Sequence, residues 1–347
     1  MKSIDLGEPK TVLIKTYLHE SGLFYLAKTL GDKLKEQGHK VIYFPKSKYL
    51  LRGSIFHREY LKPQDEATLE KEVVHWCDSR KTVEQQISNA IVKYDVDILI
   101  SFETLMEKSQ WLMKIKRKHK IKLIDVPMVE WVSKRLITGN SYIVFDHIWC
   151  LTDQCYNQFR DYKSAQRINW DYVDRKLFQP VEREEGVVRF YHAGSLNPEY
   201  SSKNTHLVLQ AFDMFLRKDK PNATLTVSGV IKDFKSQGII NKHNNISTID
   251  GIVDRKTVSD LYKSHHCVLM PSSREGLGLS LYEAQACGCS VVTTDLPPMN
   301  ECSTQYLCAV DTIRKDEKLI PLAILNYKNI YEQIKRAYGD IACQKYT

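Results

Sequence analysis

Residues 271–301 read PSSREGLGLSLYEAQACGCSVVTTDLPPMNE, and this stretch carries the strongest structural pattern in the chain. It follows the apolar run HCVLM at 266–270, which predicts a buried strand, and Gly276 and Gly278 precede a helical pattern. A strand, a glycine turn and a helix start together place free backbone N–H groups at the carboxyl end of the strand. The stretch therefore predicts a phosphate-binding loop.

Two glutamates bracket this loop, Glu275 within it and Glu283 in the first turns of the helix. A carboxylate near a diphosphate is costly unless it accepts hydrogen bonds from hydroxyls, so the pattern predicts a sugar or a ribose as its partner. A structural alternative exists for Glu283, because Ser280 and Glu283 have the spacing of a helix capping box. Cys287 and Cys289 are interpreted as packing residues rather than zinc ligands.

Length and composition limit the classes of protein that the chain can form. A chain of 347 residues fits two domains, and 43% apolar with 27% charged residues is ordinary for a globular protein. Nine cysteines without regular spacing argue against a disulfide scaffold and for a reducing compartment. No secretory signal pattern and no run of 18 apolar residues is found, so we predict a cytoplasmic protein.

The net charge of +8 suits an anionic partner, which could be a nucleoside diphosphate, a membrane surface or a nucleic acid. Part of this charge lies in the run KIKRKHKIK at 114–122, which we interpret as a solvated face at a helix end. Peripheral contact with an anionic membrane stays open. No nucleic-acid partner is predicted, because aromatic residues do not interleave with the basic run.

Strand-like and helix-like runs alternate along the whole chain, which is typical of parallel α/β domains. The first unit of the pattern is a strand at 11–14, a helix after Ser21 and Gly22, and a strand at 41–44. A second set of strands begins at 187–191 and leads into Gly194 and Ser195. The charged run at 182–185 marks the predicted boundary, and an amphipathic stripe predicts a helix at the C-terminal end.

The stretch at 271–301 resembles the donor-binding signature of retaining family-4 glycosyltransferases, which have the two-domain GT-B fold. The resemblance rests on the glycine loop with its two glutamates, the Ala-Cys-Gly turn at 286–288, the strand at 291–294, and Glu301. It implies two Rossmann-like, doubly wound α/β domains facing each other across a cleft. The N-terminal, acceptor-side domain would be residues 1–182 with a returning C-terminal helix at about 325–347, and the donor-binding domain residues 183–324.

The resemblance also assigns candidate site residues. Those implied to be catalytic are Glu275, Lys203 and Glu130. Those implied to bind the donor are Gly22, Gly194, Ser195, Lys203, Arg274, Gly276, Leu277, Gly278, Leu279, Ser280 and Glu283. The chain departs from the family where Ser195 replaces a common arginine, for which Arg274 is a candidate substitute, and where Glu130 lies in the loop that often carries a histidine.

The implied reaction is transfer of a sugar from a UDP- or GDP-sugar to an acceptor hydroxyl on a glycan, glycoprotein or glycolipid, with retention of configuration. We expect no cofactor and no metal, because helix dipoles and Lys203 would replace a cation. The competing metal motif, Asp95-Val96-Asp97, precedes its strand rather than following it. Two alternatives are an epimerase or hydrolase of sugar nucleotides on the same fold, and a weakly catalytic protein that binds sugar nucleotides or glycans.

Overall fold

A computed structural model describes residues 4–16, 22–45, 81–102, 109–195, 202–251 and 253–343. The chain divides into two compact units, residues 1–172 with 317–319 and residues 173–316 with 320–347. Strands and helices alternate along the chain in both units. Each unit is built around one parallel sheet, as the sequence predicts, and the described residues contribute six strands to each sheet.

The sheet of the first unit has the strand order β2-β1-β3-β4-β5-β6. Its inner strands are almost entirely buried, because helices in a parallel α/β unit cover both faces of the sheet. The strands are β1 (Thr11–Thr16), β2 (Lys40–Pro45), β3 (Ile98–Phe102), β4 (Lys122–Val126), β5 (His147–Cys150) and β6 (Ala165–Arg167). The described helices are α1 (Gly22–Glu36), α2 (Val83–Tyr94), α3 (Ser109–His119), α4 (Lys134–Thr138) and α5 (Asp153–Phe159).

The sheet of the second unit has the order β12-β11-β10-β7-β8-β9. Its strands are β7 (Val188–Ala193), β8 (Ala223–Ser228), β9 (Ile246–Ile249), β10 (Cys267–Met270), β11 (Ser290–Thr294) and β12 (Tyr306–Cys308), and an antiparallel hairpin adds β13 (Thr312–Arg314) and β14 (Leu322–Ile324). The helices are α6 (Thr205–Asp219), α7 (Phe234–Lys242), α8 (Arg255–Ser264), α9 (Leu279–Ala286) and α10 (Tyr327–Cys343). Because the central strands β7 and β10 are parallel neighbours, the loops that follow them leave the same edge of the sheet.

The structure divides the chain ten residues earlier than the predicted boundary at 182. The reason is packing, since Val173 and Phe178 are buried in the same cluster as Leu281 and Ala284 of the second unit. The segment that follows Tyr172 therefore belongs to the core of the second unit.

The C-terminal helix also differs from the expectation that it returns to the N-terminal domain. The helix forms as its amphipathic stripe predicts, but Ile330, Tyr331 and Ile334 pack with Phe212 and Phe215 of α6 in the core of the second unit. Among the helices in the described ranges, none combines the length and the hydropathy that crossing a bilayer requires.

Candidate active site

The loops that follow β7 and β10 are joined by hydrogen bonds. The backbone N–H of Ser273 donates to the carbonyl of Ser202 at 2.7 Å. The Asn204 side chain donates to the carbonyl of Pro271 at 2.8 Å and to Oγ of Ser273 at 2.9 Å, and it is buried. Because buried amide groups satisfied in this way hold their partners firmly, residues 202–204 and 271–273, the described parts of the two loops, are joined at one edge of the second unit.

Lys203 and Glu275 meet on this edge. Nζ of Lys203 lies 2.5 Å from Oε1 of Glu275, and the two side chains are 25% and 15% exposed. The structure therefore brings together two of the three residues predicted to be catalytic, one from each loop. Both remain accessible to a ligand, and their opposite charges suit a partner that combines phosphate oxygens with hydroxyl groups.

The glycine loop after β10 turns directly into α9. Gly278 is the N-cap residue with φ of +73°, and a Cβ atom there would lie 2.9 Å from Cδ1 of Leu281. Glycine adopts this left-handed conformation without the steric cost that a Cβ atom brings. The first N–H groups of α9 are therefore presented at the same edge as Glu275, and the helix dipole favours an anion there. Leu277 and Leu279 are buried and fix the loop by packing.

Gly194 is required by the close approach of two strands. A Cβ atom on Gly194 would lie 2.6 Å from the carbonyl oxygen of Ser228, and the Gly194 N–H donates to that oxygen at 2.8 Å. Ser195 follows it, and its carbonyl accepts from the N–H of Val230 at 3.0 Å. This packing explains Gly194 without a ligand, so donor binding by Gly194 and Ser195 stays a prediction.

His192, on β7, links β10 to the start of α6 by two hydrogen bonds. Its Nδ1–H donates to the carbonyl of Leu269 at 2.6 Å, which leaves Nε2 to accept from Oγ1 of Thr205 at 2.9 Å. Burial lowers the pKa of His192 to about 4, and the nearby Lys203 charge acts in the same direction. A neutral imidazole at physiological pH therefore ties β7, β10 and the helix that follows Lys203 together.

Glu283 is not part of a capping box. Helix α9 has Gly278 at the N-cap, with no side-chain cap bond, so Ser280 is the second helical residue and Glu283 the fifth. Glu283 is 2% exposed, and its Oε1 accepts a hydrogen bond from Nη2 of Arg255. Burial raises the pKa of Glu283, whereas the Arg255 charge opposes that rise.

The remaining candidates are Arg274 in the second unit and Gly22 and Glu130 in the first. The guanidinium of Arg274 donates to Asp316 at 2.7 Å, so it is directed to the hairpin segment rather than to the Lys203–Glu275 pair. Gly22 is the exposed first residue of α1, where an added Cβ would meet no described atom within 4 Å. Ser21 lies outside the described residues. Glu130 is half-buried in a turn after β4 of the first unit.

The Asp95-Val96-Asp97 motif has a structural explanation. Asp95 ends α2 in the left-handed region with φ of 53°, and Oδ2 of Asp97 accepts from the N–H of Thr11 at 2.8 Å. Both residues lie at the amino end of β3, and ligands of open α/β sheets bind at the carboxyl ends.

Sequence reasoning missed Asn204, His192 and Arg255. Asn204 directly follows Lys203 and precedes a helical pattern, which is a recognisable N-cap position. Its side chain bonds across to the other loop instead. His192 and Arg255 find their partners 77 and 28 residues away, and no local pattern marks such pairs.

Comparison with solved structures identifies the fold. Sucrose-phosphate synthase from Thermosynechococcus elongatus matches with a TM-score of 0.59 at 13% identity, over 97% of this chain and 97% of that chain. HepE from Anabaena, in complex with UDP, matches with a TM-score of 0.62 at 12% identity, over 96% and 90%. A UDP-GlcNAc 2-epimerase from Neisseria meningitidis, bound to UDP-GlcNAc, matches with a TM-score of 0.61 at 9% identity, over 96% and 93%. These likenesses establish the GT-B fold.

The family model described as glycosyl transferases group 1 matches residues 174–317. These residues form most of the second unit and contain the joined loops, the Lys203–Glu275 pair and Glu283. The segment belongs to that family, and the protein is a glycosyltransferase. No match was found among curated protein sequences.

Proposed function

We propose that the protein is a retaining glycosyltransferase that moves a sugar from a UDP- or GDP-sugar to an acceptor hydroxyl without a metal ion. The observation that carries the proposal is the pairing of Lys203 with Glu275 beside the first turn of α9. A cation and free N–H groups suit a diphosphate, and a carboxylate among them suits the hydroxyls of the attached sugar. HepE and the epimerase, which were solved with UDP and UDP-GlcNAc, have the same fold.

The chemistry follows from where charge develops. As the bond between the sugar C1 and the diphosphate oxygen breaks, its electron pair stays on the diphosphate. The Lys203 ammonium and the N–H groups of α9 stabilise that charge. The acceptor oxygen bonds to C1 on the same face, and its proton passes to a phosphate oxygen of the leaving group. No enzyme nucleophile is needed, in contrast to the two-carboxylate route of retaining glycosidases.

A thermal-shift screen against UDP, GDP, ADP and their sugars tests the proposal and names the nucleobase. A ligand at about 100 times its Kd should stabilise the protein by roughly 2.7 kcal/mol. Donor turnover with and without a panel of glycan and glycolipid acceptors then separates the reactions. Product that requires an acceptor supports transfer, whereas an epimerised or hydrolysed donor without acceptor supports the alternative enzyme. Binding without turnover supports a binding protein.

Glu283 is proposed to accept hydrogen bonds from the ribose. Glu283→Gln should weaken UDP or GDP binding by about 1–3 kcal/mol, because a charged acceptor is replaced by a neutral one. Isothermal titration measures the affinity, and thermal melting measures stability in parallel. If the melting temperature falls while nucleotide affinity is unchanged, Glu283 stabilises the fold through its ion pair with Arg255 and does not bind the ribose.

Activity is expected to persist in excess EDTA. The positive end of α9 and Lys203 take the place that a cation holds in metal-dependent transferases. Initial rates with EDTA, and after adding Mg²⁺ or Mn²⁺ back, measure this. Complete loss in chelator that either metal restores would contradict the proposal.

Peripheral contact with an anionic membrane is proposed for the basic end of α3. Lys114, Arg117 and Lys118 are exposed there, as are Lys120 and Lys122 just beyond. Such clusters gain about 1 kcal/mol per residue near an anionic surface. Cosedimentation with phosphatidylglycerol vesicles, compared with phosphatidylcholine vesicles, tests it. Lys118→Glu with Lys120→Glu should abolish a preference for the anionic vesicles, and equal sedimentation with both would reject the contact.

A further inference from the structure

A buried ion pair lies beneath the proposed nucleotide site. Glu283 is 2% exposed, and its partner Arg255 is the first residue of α8, with a side chain that is 15% exposed. Both residues lie in the second unit, on neighbouring helices α8 and α9. A carboxylate this deeply buried requires a partner, because an uncompensated charge in a protein interior costs several kcal/mol.

Arg255 is held in place by the fold itself. Its guanidinium carbon lies 4.5 Å from the ring centroid of Phe178, a stacking distance typical of a cation–π contact. Phe178 is fully buried, in the same cluster as Leu281 and Ala284 of α9. The start of α8 is fixed in turn by Asp254, whose side chain accepts from the N–H of Thr257 at 2.9 Å. The guanidinium is therefore prepositioned against Glu283 before any ligand arrives.

The other charged and titratable groups near Glu283 do not replace Arg255. Asp174, on the segment that precedes Phe178, is negative and disfavours a charged Glu283. Tyr262 of α8 is buried, and its own pKa is raised by burial and by the Glu283 charge, so it stays neutral. Burial raises the pKa of Glu283, and of these groups Arg255 alone lowers it.

We propose that Arg255 is a positioning residue for nucleotide binding, which fixes one carboxylate oxygen of Glu283 and presents the other to a ribose hydroxyl. The inference rests on the proposed function, in which Glu283 holds the ribose. Arg255 touches Glu283 rather than the ligand. The contribution of Arg255 to nucleotide affinity is indirect and depends on the charge of Glu283. An experiment that varies this charge therefore distinguishes it from a direct contact between Arg255 and the nucleotide.

The test compares UDP and GDP affinities of the wild type and Arg255→Met between pH 6.5 and pH 8.5. Methionine keeps the apolar contact with Phe178 and removes the charge. Arg255→Met removes a charge that lowers the pKa of Glu283, so a larger share of the carboxyl group is protonated at pH 6.5 than at pH 8.5. We expect a loss of about tenfold or more at pH 6.5 that shrinks towards pH 8.5, since a neutral acid is a poorer acceptor.

Three controls make the result specific. Arg255→Lys keeps the charge and should show the wild-type pH profile with a smaller loss. Lys256→Met, at an adjacent side chain that is 78% exposed, should match the wild type. A 2′,3′-dideoxy-UDP lacks both hydroxyls and should bind the wild type and Arg255→Met equally. If Arg255→Met does not fold, Arg255→Gln supplies a second uncharged variant.

The possible outcomes are distinct. Wild-type affinity in folded Arg255→Met at every pH would overturn the inference. A loss of equal size at every pH would also overturn it, because that result indicates a direct contact or a packing role. If the wild type itself binds neither UDP nor GDP, the proposed function has failed instead.

Discussion

Lys203→Ala is expected to lower kcat/KM by roughly 10²-fold, which corresponds to about 2.7 kcal/mol of transition-state stabilisation. Lys203 carries a positive charge on the joined loops, and Ser195 stands where the resemblance to family-4 glycosyltransferases implies an arginine. Arg274 is engaged by Asp316. The ammonium acts as a point charge that follows the charge developing on the leaving diphosphate. Steady-state kinetics with saturating acceptor measure the effect.

The matched control for Lys203→Ala is Lys218→Ala, on α6, the helix that follows Lys203 in the chain. Lys218 is exposed in the last turn of α6, so Lys218→Ala removes a lysine from the opposite end of that helix and should leave kcat/KM unchanged. Adding Ser195→Arg to Lys203→Ala should recover part of the loss, because it places a cation on the same edge. Wild-type kinetics in Lys203→Ala would show that other groups neutralise the diphosphate, and Arg274 would then be the first to test.

Local patterns were sufficient to predict the glycine loop and its surroundings. Gly278 has the positive φ that its place before a helix suggests, and Glu275 lies in the loop as expected. These features depend on neighbours in the chain, where strand, turn and helix preferences act within a few residues. The same is true of the amphipathic C-terminal helix, whose apolar face is buried.

Tertiary pairing was beyond the reach of such patterns. Ser280 and Glu283 match a capping box by spacing, but Gly278 begins the helix two residues earlier and turns Glu283 inward towards Arg255. The amphipathic stripe of α10 predicts that one face of the helix is buried, but it does not indicate against which of the two units that face packs. Asn204 was missed because its partners are 67 and 69 residues away. In each case the deciding contact is between segments distant in sequence, and its energy does not appear in any local preference.

Glu275→Ala is expected to reduce turnover by about 10²-fold or more while nucleoside diphosphate binding survives. The carboxylate lies in the glycine loop, and we propose that it accepts hydrogen bonds from hydroxyls of the transferred sugar. Such a contact strengthens as the sugar becomes electron-poor in the transition state, so its loss appears in kcat rather than in KM alone. Initial rates at saturating donor and acceptor measure kcat, and isothermal titration measures UDP or GDP affinity.

The ion pair with Lys203 makes the sign of the affinity change informative. Without Glu275 the ammonium is released from its carboxylate, so UDP or GDP should bind Glu275→Ala at least as tightly as the wild type, whereas Lys203→Ala should bind them more weakly. Because the two residues are in contact, their effects on turnover should not be additive. The free-energy loss in kcat/KM for the double variant should be smaller than the sum of the losses for Lys203→Ala and Glu275→Ala. Glu184→Ala, at a side chain that is 91% exposed, is the matched control. Unchanged turnover in Glu275→Ala would show that Glu275 does not contact the transferred sugar. Weakened binding of the nucleoside diphosphate would show instead that Glu275 stabilises the loop.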